Sequence, residues 1–264
     1  LMSLLDVKNV GISFGGLRAV HDVSFAVRES EIVSVIGPNG AGKTTLFNML
    51  SGVYQPQQGE VLLNNEPVTG MAPHLLARRG MSRTFQNLQI FPAMTALENV
   101  ATGFHLQENG SLLADLLGLP SARRRTKRSE DQARELLERV GLGRAAEFEA
   151  GSLSYGSLKR LEIARALALG PKLLLLDEPA AGCNAVETEE IEKLVAEVAS
   201  SGIAILLVEH DMKMVMRISN QIVVLDHGEK IAEGVPAEIA SHPRVIEAYL
   251  GAAAKEEAAK YAEC

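Results

Sequence analysis

A glycine-rich stretch, GPNGAGKTT at residues 37–45, carries residue types suited to phosphate chemistry. It fits the pattern G-x-x-x-x-G-K-[ST] in full, between a buried strand predicted over residues 31–37 and a helix predicted from Lys43. Glycines let backbone N–H groups approach phosphates, and the helix N-terminus adds partial positive charge. Lys43 can reach the β- and γ-phosphates, and the Thr44 hydroxyl can ligate Mg²⁺. We therefore predict a nucleotide phosphate loop made of Gly37, Pro38, Asn39, Gly40, Ala41, Gly42, Lys43, Thr44 and Thr45.

Two acidic residues end the hydrophobic strand LLLLDEP at residues 173–179. Asp177, at the strand tip, suits a direct or water-mediated contact with Mg²⁺. Glu178, one residue further, points elsewhere and could polarise an attacking water. Acids at the end of a strand are by themselves more often helix caps, but the phosphate loop in the same chain favours the catalytic interpretation.

Two further polar residues follow predicted core strands. His210 lies in VEHD and Gln86 lies in TFQN. Each could be an ordinary loop residue when taken alone. Because ligands of open α/β sheets gather at the carboxyl ends of the strands, both are candidates for contacting the γ-phosphate.

A second helix start with anion-binding character appears in GSLSYGSLKRLEIARAL, residues 151–167. Ser154 is typical of a helix N-cap. Its hydroxyl, the Gly156 N–H and the helix dipole can together favour an anion. The chain therefore contains two phosphate-facing helix starts, more than a hundred residues apart.

Composition sets the broad class. The 264 residues carry a net charge of −7, which argues against a broadly basic surface and against nucleic acid as a partner. No apolar run reaches the roughly 18 residues that a spanning helix needs, and the first ten residues, which include Asp6 and Lys8, do not resemble a signal peptide. Two distant cysteines, Cys183 and Cys264, predict no disulfide framework. We expect a soluble cytoplasmic α/β protein.

The elements that must position these residues follow from hydrophobic periodicity. We predict strands at 4–14, 19–28, 31–37, 59–65, 81–86, 172–177, 203–209, 221–228 and 229–234. We predict helices at 43–50, 73–80, across most of 95–167, at 186–200 and 211–217, and as two short helices within 236–250. Within the helical region, the basic run ARRRTKR at 122–128 is interpreted as a solvated, flexible link.

The ordered set of motifs resembles that of the ATP-binding-cassette (ABC) ATPases. Phe14, the phosphate loop, Gln86, LSYGS, LLLLDEP, AAGCN and EHD occur in the order typical of that superfamily, over residues 4–250. Within it, TFQN, LENV, LSYG, RLEIARALA, DEPAAG, VEHDMK and AYLG resemble the ATPase subunits of bacterial branched-chain amino acid importers.

The resemblance implies a fold and a domain organisation. The fold is α/β, with a P-loop (RecA-like) ATPase core, an antiparallel β subdomain and an inserted α-helical subdomain. We expect one domain over residues 3–250, with the core at 3–88 and 168–250 and the helical subdomain at 89–167. Residues 251–264 form an Ala/Glu/Lys-rich tail.

The resemblance also implies roles for the matched positions, with ATP and Mg²⁺ as ligands. These roles are Phe14 stacking on adenine; residues 37–45 holding phosphates; Thr44, Gln86 and Asp177 at Mg²⁺; and Glu178, His210 and Gln86 in hydrolysis. Residues 153–157, here called the signature, would use Ser154, Tyr155 and Gly156 to face the nucleotide of an opposing subunit. Two chains would thus pair head to tail, which accounts for the second helix start.

Tyr155 stands where the common signature of the superfamily has glycine, as in the branched-chain subgroup, and three further residues depart from the common pattern. Ser157 replaces the usual glutamine of the signature, Asn184 stands where many relatives have aspartate, and Cys183 replaces leucine as an apolar filler. We expect the signature contact to be weaker than usual but present.

We therefore expect an ATPase that energises uptake of branched-chain or related amino acids. Its partners would be two membrane permease subunits, an identical or related ATPase subunit and, indirectly, a periplasmic substrate-binding protein, with the chain on the inner face of the inner membrane. The alternatives are the ATPase of a lipid or lipopolysaccharide export system and a soluble, non-transport ABC ATPase. An adenylate-type kinase is a weaker alternative, because it leaves the signature and His210 unexplained.

Overall fold

The structure, a computed structural model, describes residues 3–107 and 120–249. Its strands are β1 (Ser3–Phe14), β2 (Leu17–Arg28), β3 (Ile32–Ile36), β4 (Gln58–Leu63), β5 (Glu66–Pro67), β6 (Met81–Arg83), β7 (Leu173–Asp177), β8 (Ala204–Val208), β9 (Gln221–Asp226) and β10 (Glu229–Gly234). Its helices are α1 (Lys43–Leu50), α2 (Pro73–Arg78), α3 (Ala96–Ala101), α4 (Pro120–Arg139), α5 (Tyr155–Leu167), α6 (Ala185–Ser200), α7 (Met212–Ile218) and α8 (Pro236–Ala240), and residues 243–249 are also helical. Across these described ranges, none of the helices is both long enough and apolar enough to cross a membrane.

Six strands form the central sheet in the order β10-β9-β3-β8-β7-β6. The five strands from β9 to β6 are parallel, and β10 pairs antiparallel with β9 at one edge. Strands β3, β7 and β8 are buried along their whole length, which explains why they appear in the sequence as unbroken apolar runs. Their carboxyl ends lie on one edge of the sheet and open into the loops that carry the predicted site residues.

Strand β7 contributes side chains to two hydrophobic clusters, one on each face of the central sheet. Leu173 and Leu175 pack on the side of α1 and the small β-sheet, whereas Leu174 and Leu176 pack on the side of the helices α3 to α6. Since successive side chains of a strand point to opposite faces, one buried strand anchors both layers. The sheet is therefore covered on both faces, as parallel sheets require.

A separate four-stranded antiparallel sheet has the order β2-β1-β4-β5. The short strand β5 is absent from the sequence prediction. It returns on β4 through Asn64 and Asn65, which both have positive φ, at 53° and 63°. Asparagine tolerates this conformation, which suits a two-residue hairpin turn.

Helices occupy most of the described part of residues 96–167, which agrees with the predicted inserted helical region. The exact boundaries of the two subdomains stay a prediction. The predicted strand at 81–86 is shorter than expected and ends at Arg83. The predicted helical stretch at 111–119 and the tail at 251–264 lie outside the described residues.

The interpretation of residues 122–128 as a flexible link is wrong, because this run lies within α4. Alanine, arginine and lysine are good helix formers, and the run contains no glycine or proline to break the helix. The part of the interpretation that concerned solvation agrees with the structure, since most of residues 124–128 are exposed. Charge density alone was therefore a poor indicator of a link.

Candidate nucleotide site

The phosphate loop joins β3 to α1 at the carboxyl edge of the central sheet. Gly37 has a φ of 151°, and a Cβ there would lie 2.1 Å from the Leu225 carbonyl oxygen. Gly42 has a φ of 99°, and a Cβ there would lie 2.5 Å from the Ala19 carbonyl oxygen. Both positions therefore require glycine, because the backbones of β9 and β2 leave no room for a side chain there.

Lys43 begins α1, and its side chain folds back over the loop. Its Nζ donates to the carbonyl oxygens of Gly37 at 2.7 Å and Pro38 at 3.0 Å. Burial lowers the pKa of the Lys43 ammonium group, and the Glu178 carboxylate partly opposes that shift. The ammonium group is thus positioned at the loop, as a lysine that contacts bound phosphates must be.

A cavity of about 560 Å³ lies over the phosphate loop and gathers residues from distant parts of the chain. Gln86, Glu178 and His210 line it together with residues 39–45 of the loop. Its volume is within the usual range for a small-molecule site. Leu17, Arg18, Ala19 and His227 also line it. The structure therefore brings together the three side chains predicted for hydrolysis, while their catalytic roles stay predictions.

Glu178 and His210 form a hydrogen-bonded pair in this cavity. His210 Nε2 lies 2.7 Å from Glu178 Oε1, within hydrogen-bond distance. Glu178 has a φ of 52°, unusual for a residue other than glycine. Its backbone N–H donates to the Val208 carbonyl at 2.9 Å, which ties this turn to β8. The positive φ at the end of β7 is typical of strained functional turns.

Asp177 is held by an ion pair in the core. Arg83 Nη2 donates to Asp177 Oδ2 at 2.7 Å, and the two side chains are 7% and 3% exposed. Arg83 also donates to Asn48 Oδ1 at 2.8 Å and to Ser51 Oγ at 2.6 Å, both near the end of α1. Among the described residues that line the cavity, Asp177 is absent. Its predicted support of Mg²⁺ stays a prediction, with Arg83 as a partner that the sequence did not indicate.

A buried glutamate holds the loop that carries Gln86. Oε1 of Glu162, on α5, accepts the N–H of Phe85 at 3.3 Å and of Gln89 at 3.4 Å. Burial raises the pKa of Glu162. The residues on both sides of Gln86 are therefore fastened to α5, the helix that begins within residues 153–157.

Glu209 fastens two other loops of the site. It is buried, and its carboxylate accepts the N–H of Ala180 at 2.7 Å and the N–H of His210 at 3.0 Å. Burial raises the pKa of Glu209. One carboxylate thus connects the loop after Glu178 to His210.

Phe14 lies at the end of β1, with its ring nearly half exposed. The ring is edge-on to Tyr54, with centroids 5.3 Å apart. Phe14 does not belong to the described lining of the phosphate cavity. Its stacking on adenine stays a prediction, and Tyr54 is a second aromatic side chain at the same place.

The signature forms the start of α5, as predicted. Ser154 is the N-cap, and its Oγ accepts the N–H of Ser157 at 3.3 Å. The Tyr155 ring is 44% exposed, and the Lys159 ammonium lies 5.8 Å from its centroid. The described cavity over the phosphate loop includes neither Ser154 nor Gly156. This placement supports the prediction that the two helix starts serve different nucleotides.

The donors available for Mg²⁺ are oxygen atoms at the phosphate cavity. Thr44 and Gln86 both line it. In the described ranges, no three His, Cys, Asp or Glu side chains come together as a metal site. Magnesium in nucleotide sites is commonly held by one or two protein oxygens and by the substrate phosphates, and the Thr44 hydroxyl and Gln86 side chain fit that pattern.

Comparison with known families identifies the chain. The ABC transporter family matches residues 20–181, and the branched-chain amino acid ATP-binding cassette transporter family matches residues 229–255. The chain belongs to the ABC transporter family of ATP-hydrolysing subunits. The resemblance to the branched-chain importer ATPases is thereby confirmed at the level of family.

Individual relatives agree with this assignment. The chain is 46% identical to the high-affinity branched-chain amino acid transport ATP-binding protein BraF of Pseudomonas aeruginosa, over 95% of this chain and 98% of the relative. It is 47% identical to LivG, a protein of the same description from Salmonella typhimurium, with the same coverage. The lipopolysaccharide export system ATP-binding protein LptB of Escherichia coli is 34% identical over the same fractions.

Solved structures confirm the predicted fold class. The ADP conformation of MJ1267, an ATP-binding cassette of an ABC transporter, has a TM-score of 0.83 at 33% identity, covering 95% of this chain and all of that one. A dimeric bacterial ABC transporter cassette, MJ0796, has a TM-score of 0.73 at 28% identity, covering 88% and 98%. That second structure shows that a cassette of this fold can form a dimer.

Proposed function

We propose that this chain binds Mg²⁺-ATP at the phosphate loop and hydrolyses it to energise import of branched-chain amino acids through separate permease subunits. The observation that carries the proposal is the gathering of Lys43, Gln86, Glu178 and His210 around one cavity. Lys43 begins α1, and the other three side chains come from the loops after three different strands. A shared location at a phosphate loop is the arrangement that phosphoryl transfer to water requires.

The chain's residues divide the reaction between them. The phosphate loop and Lys43 hold the β- and γ-phosphates, and Mg²⁺, held by Thr44 and Gln86, would neutralise charge on those phosphates. Glu178 accepts a proton from the attacking water. His210, at 2.7 Å from Glu178, orients that carboxylate and lies at the cavity where the γ-phosphate would be contacted.

The signature completes the site of a second subunit in this proposal. Ser154 and the Gly156 N–H face the γ-phosphate held by the phosphate loop of the opposing chain, with the dipole of α5 favouring the anion. The partner is an identical chain or a related ATPase subunit. The dimeric cassette with the same fold supports the pairing.

The transported substrate is inferred from relatives. BraF and LivG are named as high-affinity branched-chain amino acid transport proteins, and each is covered over 98% of its length. We assign the chain to the cytoplasmic face of the inner membrane, bound to two permease subunits that receive substrate from a periplasmic binding protein. The more distant LptB makes lipopolysaccharide export the competing assignment.

Reconstitution tests the assignment. The chain is combined in lipid vesicles with the permeases, paired ATPase and periplasmic binding protein of a branched-chain amino acid importer, and uptake of labelled leucine is measured with ATP inside. A Lys43→Ala chain at equal loading is the control. Uptake that needs ATP and Lys43 supports the proposal. A parallel assay measures release of lipopolysaccharide from the membrane. ATP hydrolysis with lipopolysaccharide release and without leucine uptake would favour export. ATP hydrolysis with neither leucine uptake nor lipopolysaccharide release would favour a non-transport ATPase.

A further inference from the structure

We propose that Glu187 competes with the opposing subunit's γ-phosphate for the signature, and thereby sets the ATP concentration at which two chains pair. The inference rests on the pairing described under the proposed function. It concerns a residue on α6 that the phosphate cavity does not include.

The contact involves the donors assigned to the partner's phosphate. Oε1 of Glu187 accepts the N–H of Gly156 at 3.2 Å and the hydroxyl of Ser154 at 3.3 Å. A Cβ added to Gly156 would lie 2.5 Å from Cδ of Glu187. The carboxylate therefore lies directly against the start of α5, where an external anion would bind.

The start of α6 holds Glu187 in this position. Oε2 of Glu187 accepts the N–H of Asn184 at 3.1 Å, and Oδ1 of Asn184 accepts the N–H of Glu187 at 3.0 Å. This capping box keeps the side chain beside α5. The hydrogen bond from Asn184 lowers the pKa of Glu187, with smaller contributions from Gly156, Ser154 and Arg160, so the side chain is an anion at neutral pH.

Two anions then compete for one set of donors. The γ-phosphate of an opposing subunit carries more charge than a carboxylate, but it reaches Ser154 and Gly156 only when Oε1 of Glu187 leaves them. Oε2 can retain its bond to Asn184 during that movement, because the two oxygens have different partners. Pairing therefore requires displacement of an internal anion, and Glu187 opposes pairing at low ATP concentration.

A charge-neutral substitution separates this role from helix capping. Glu187→Gln retains an oxygen that can accept from Asn184, since a capping box takes Glu or Gln, but it removes the negative charge. The background is Glu178→Gln, in which bound ATP persists. Light scattering measures the ATP concentration that gives half-maximal dimer. We expect this concentration to fall about two- to fivefold, the range for exposed charge interactions.

The chain contains a matched control in the capping box of α3. There Oε2 of Glu98 accepts the N–H of Thr95 at 2.7 Å, and Oγ1 of Thr95 accepts the N–H of Glu98 at 3.1 Å. Glu98→Gln changes charge by the same amount without touching the signature, and we expect it to leave the half-maximal concentration unchanged. A Glu187→Ala chain, which loses the cap as well, should be less stable yet pair at lower ATP than its parent.

The outcomes distinguish this inference from the proposed function. A fall in the half-maximal ATP concentration with Glu187→Gln but not with Glu98→Gln supports competition. Dimer formation by the Glu187→Gln chain when its parent stays monomeric supports it as well. The competition is overturned if Glu187→Gln leaves the half-maximal ATP concentration unchanged or raises it, or if both variants lower it equally. It is also overturned if neither the parent nor the Glu187→Gln chain forms a dimer. ATP binding and hydrolysis by the unaltered chain are measured alongside. Their loss would contradict the proposed function itself, whereas their presence without a Glu187 effect would refute the competition alone.

Discussion

Replacing Arg83 with methionine removes the cationic partner of a carboxylate inside the core. Arg83 and Asp177 are 7% and 3% exposed, and their side chains meet at 2.7 Å. Breaking a buried pair by removing one partner costs about 3–5 kcal/mol, because an uncompensated charge remains. The hydrogen bonds to Asn48 and Ser51 are lost as well. We therefore expect Arg83→Met to lower the free energy of unfolding by about 3–5 kcal/mol.

Urea unfolding followed by circular dichroism measures this loss. With a denaturant dependence of about 3 kcal/mol per M, the midpoint should fall by about 1–1.7 M. The matched control is Arg79→Met, which breaks an ion pair with Glu66 whose side chains are 39% and 64% exposed. An exposed pair is worth about 1 kcal/mol at most.

A double variant identifies the source of the loss. Arg83→Met combined with Asp177→Asn removes the stranded charge, so it should be more stable than Arg83→Met alone. It should not regain full stability, since the bonds to Asn48 and Ser51 stay broken. A loss from Arg83→Met no larger than that from Arg79→Met would refute the reasoning, as would a double variant less stable than Arg83→Met alone.

Three further predictions concern the signature and the helix that it begins. Burial raises the pKa of Glu162 above 4.5, so the folded protein loses stability as the pH rises from there through the raised value. Glu162→Gln keeps an oxygen acceptor but has no carboxyl proton to lose, so its free energy of unfolding should fall less as the pH rises above 4.5; an equal loss would argue against a buried titrating carboxyl. Ser157→Gln should leave ATP hydrolysis equal or faster, because the Ser154 cap remains, and a large decrease in turnover would show that Ser157 belongs to a differently built contact. Gly156→Asp should abolish ATP-dependent dimer in light scattering, because it would fix a negative side chain at the start of α5, where the partner's γ-phosphate is proposed to bind; a dimer that persists would place the pairing surface elsewhere.

The parts of the site that depend on local sequence could be predicted. The phosphate loop needs glycine at Gly37 and Gly42, both at positive φ, and a lysine at the helix start, and all three lie within residues 37–43. Glu178 and His210 could be predicted because buried parallel strands are apolar runs whose carboxyl ends share an edge. Their hydrogen bond follows from the pairing of β7 with β8, which places Asp177 opposite Val208.

The residues that the sequence did not reveal act across long separations. Arg83 and Asp177 are 94 positions apart, and they meet because β6 lies beside β7 in the sheet. Strand order is not encoded in any local pattern. Glu187 is similar: the pattern N-x-x-E indicates a helix start, but only the packing of α6 against α5 places its carboxylate at Gly156.

The central claim is that this chain hydrolyses ATP with Glu178 as the general base. The most direct test measures steady-state hydrolysis and ATP binding for the unaltered chain and for Glu178→Gln under the same conditions. We predict equal binding by both chains and a roughly 10²-fold or greater loss of hydrolysis in the variant. Near-normal hydrolysis by Glu178→Gln would contradict the assignment of the base, and an unaltered chain that binds ATP without hydrolysing it would contradict the claim itself.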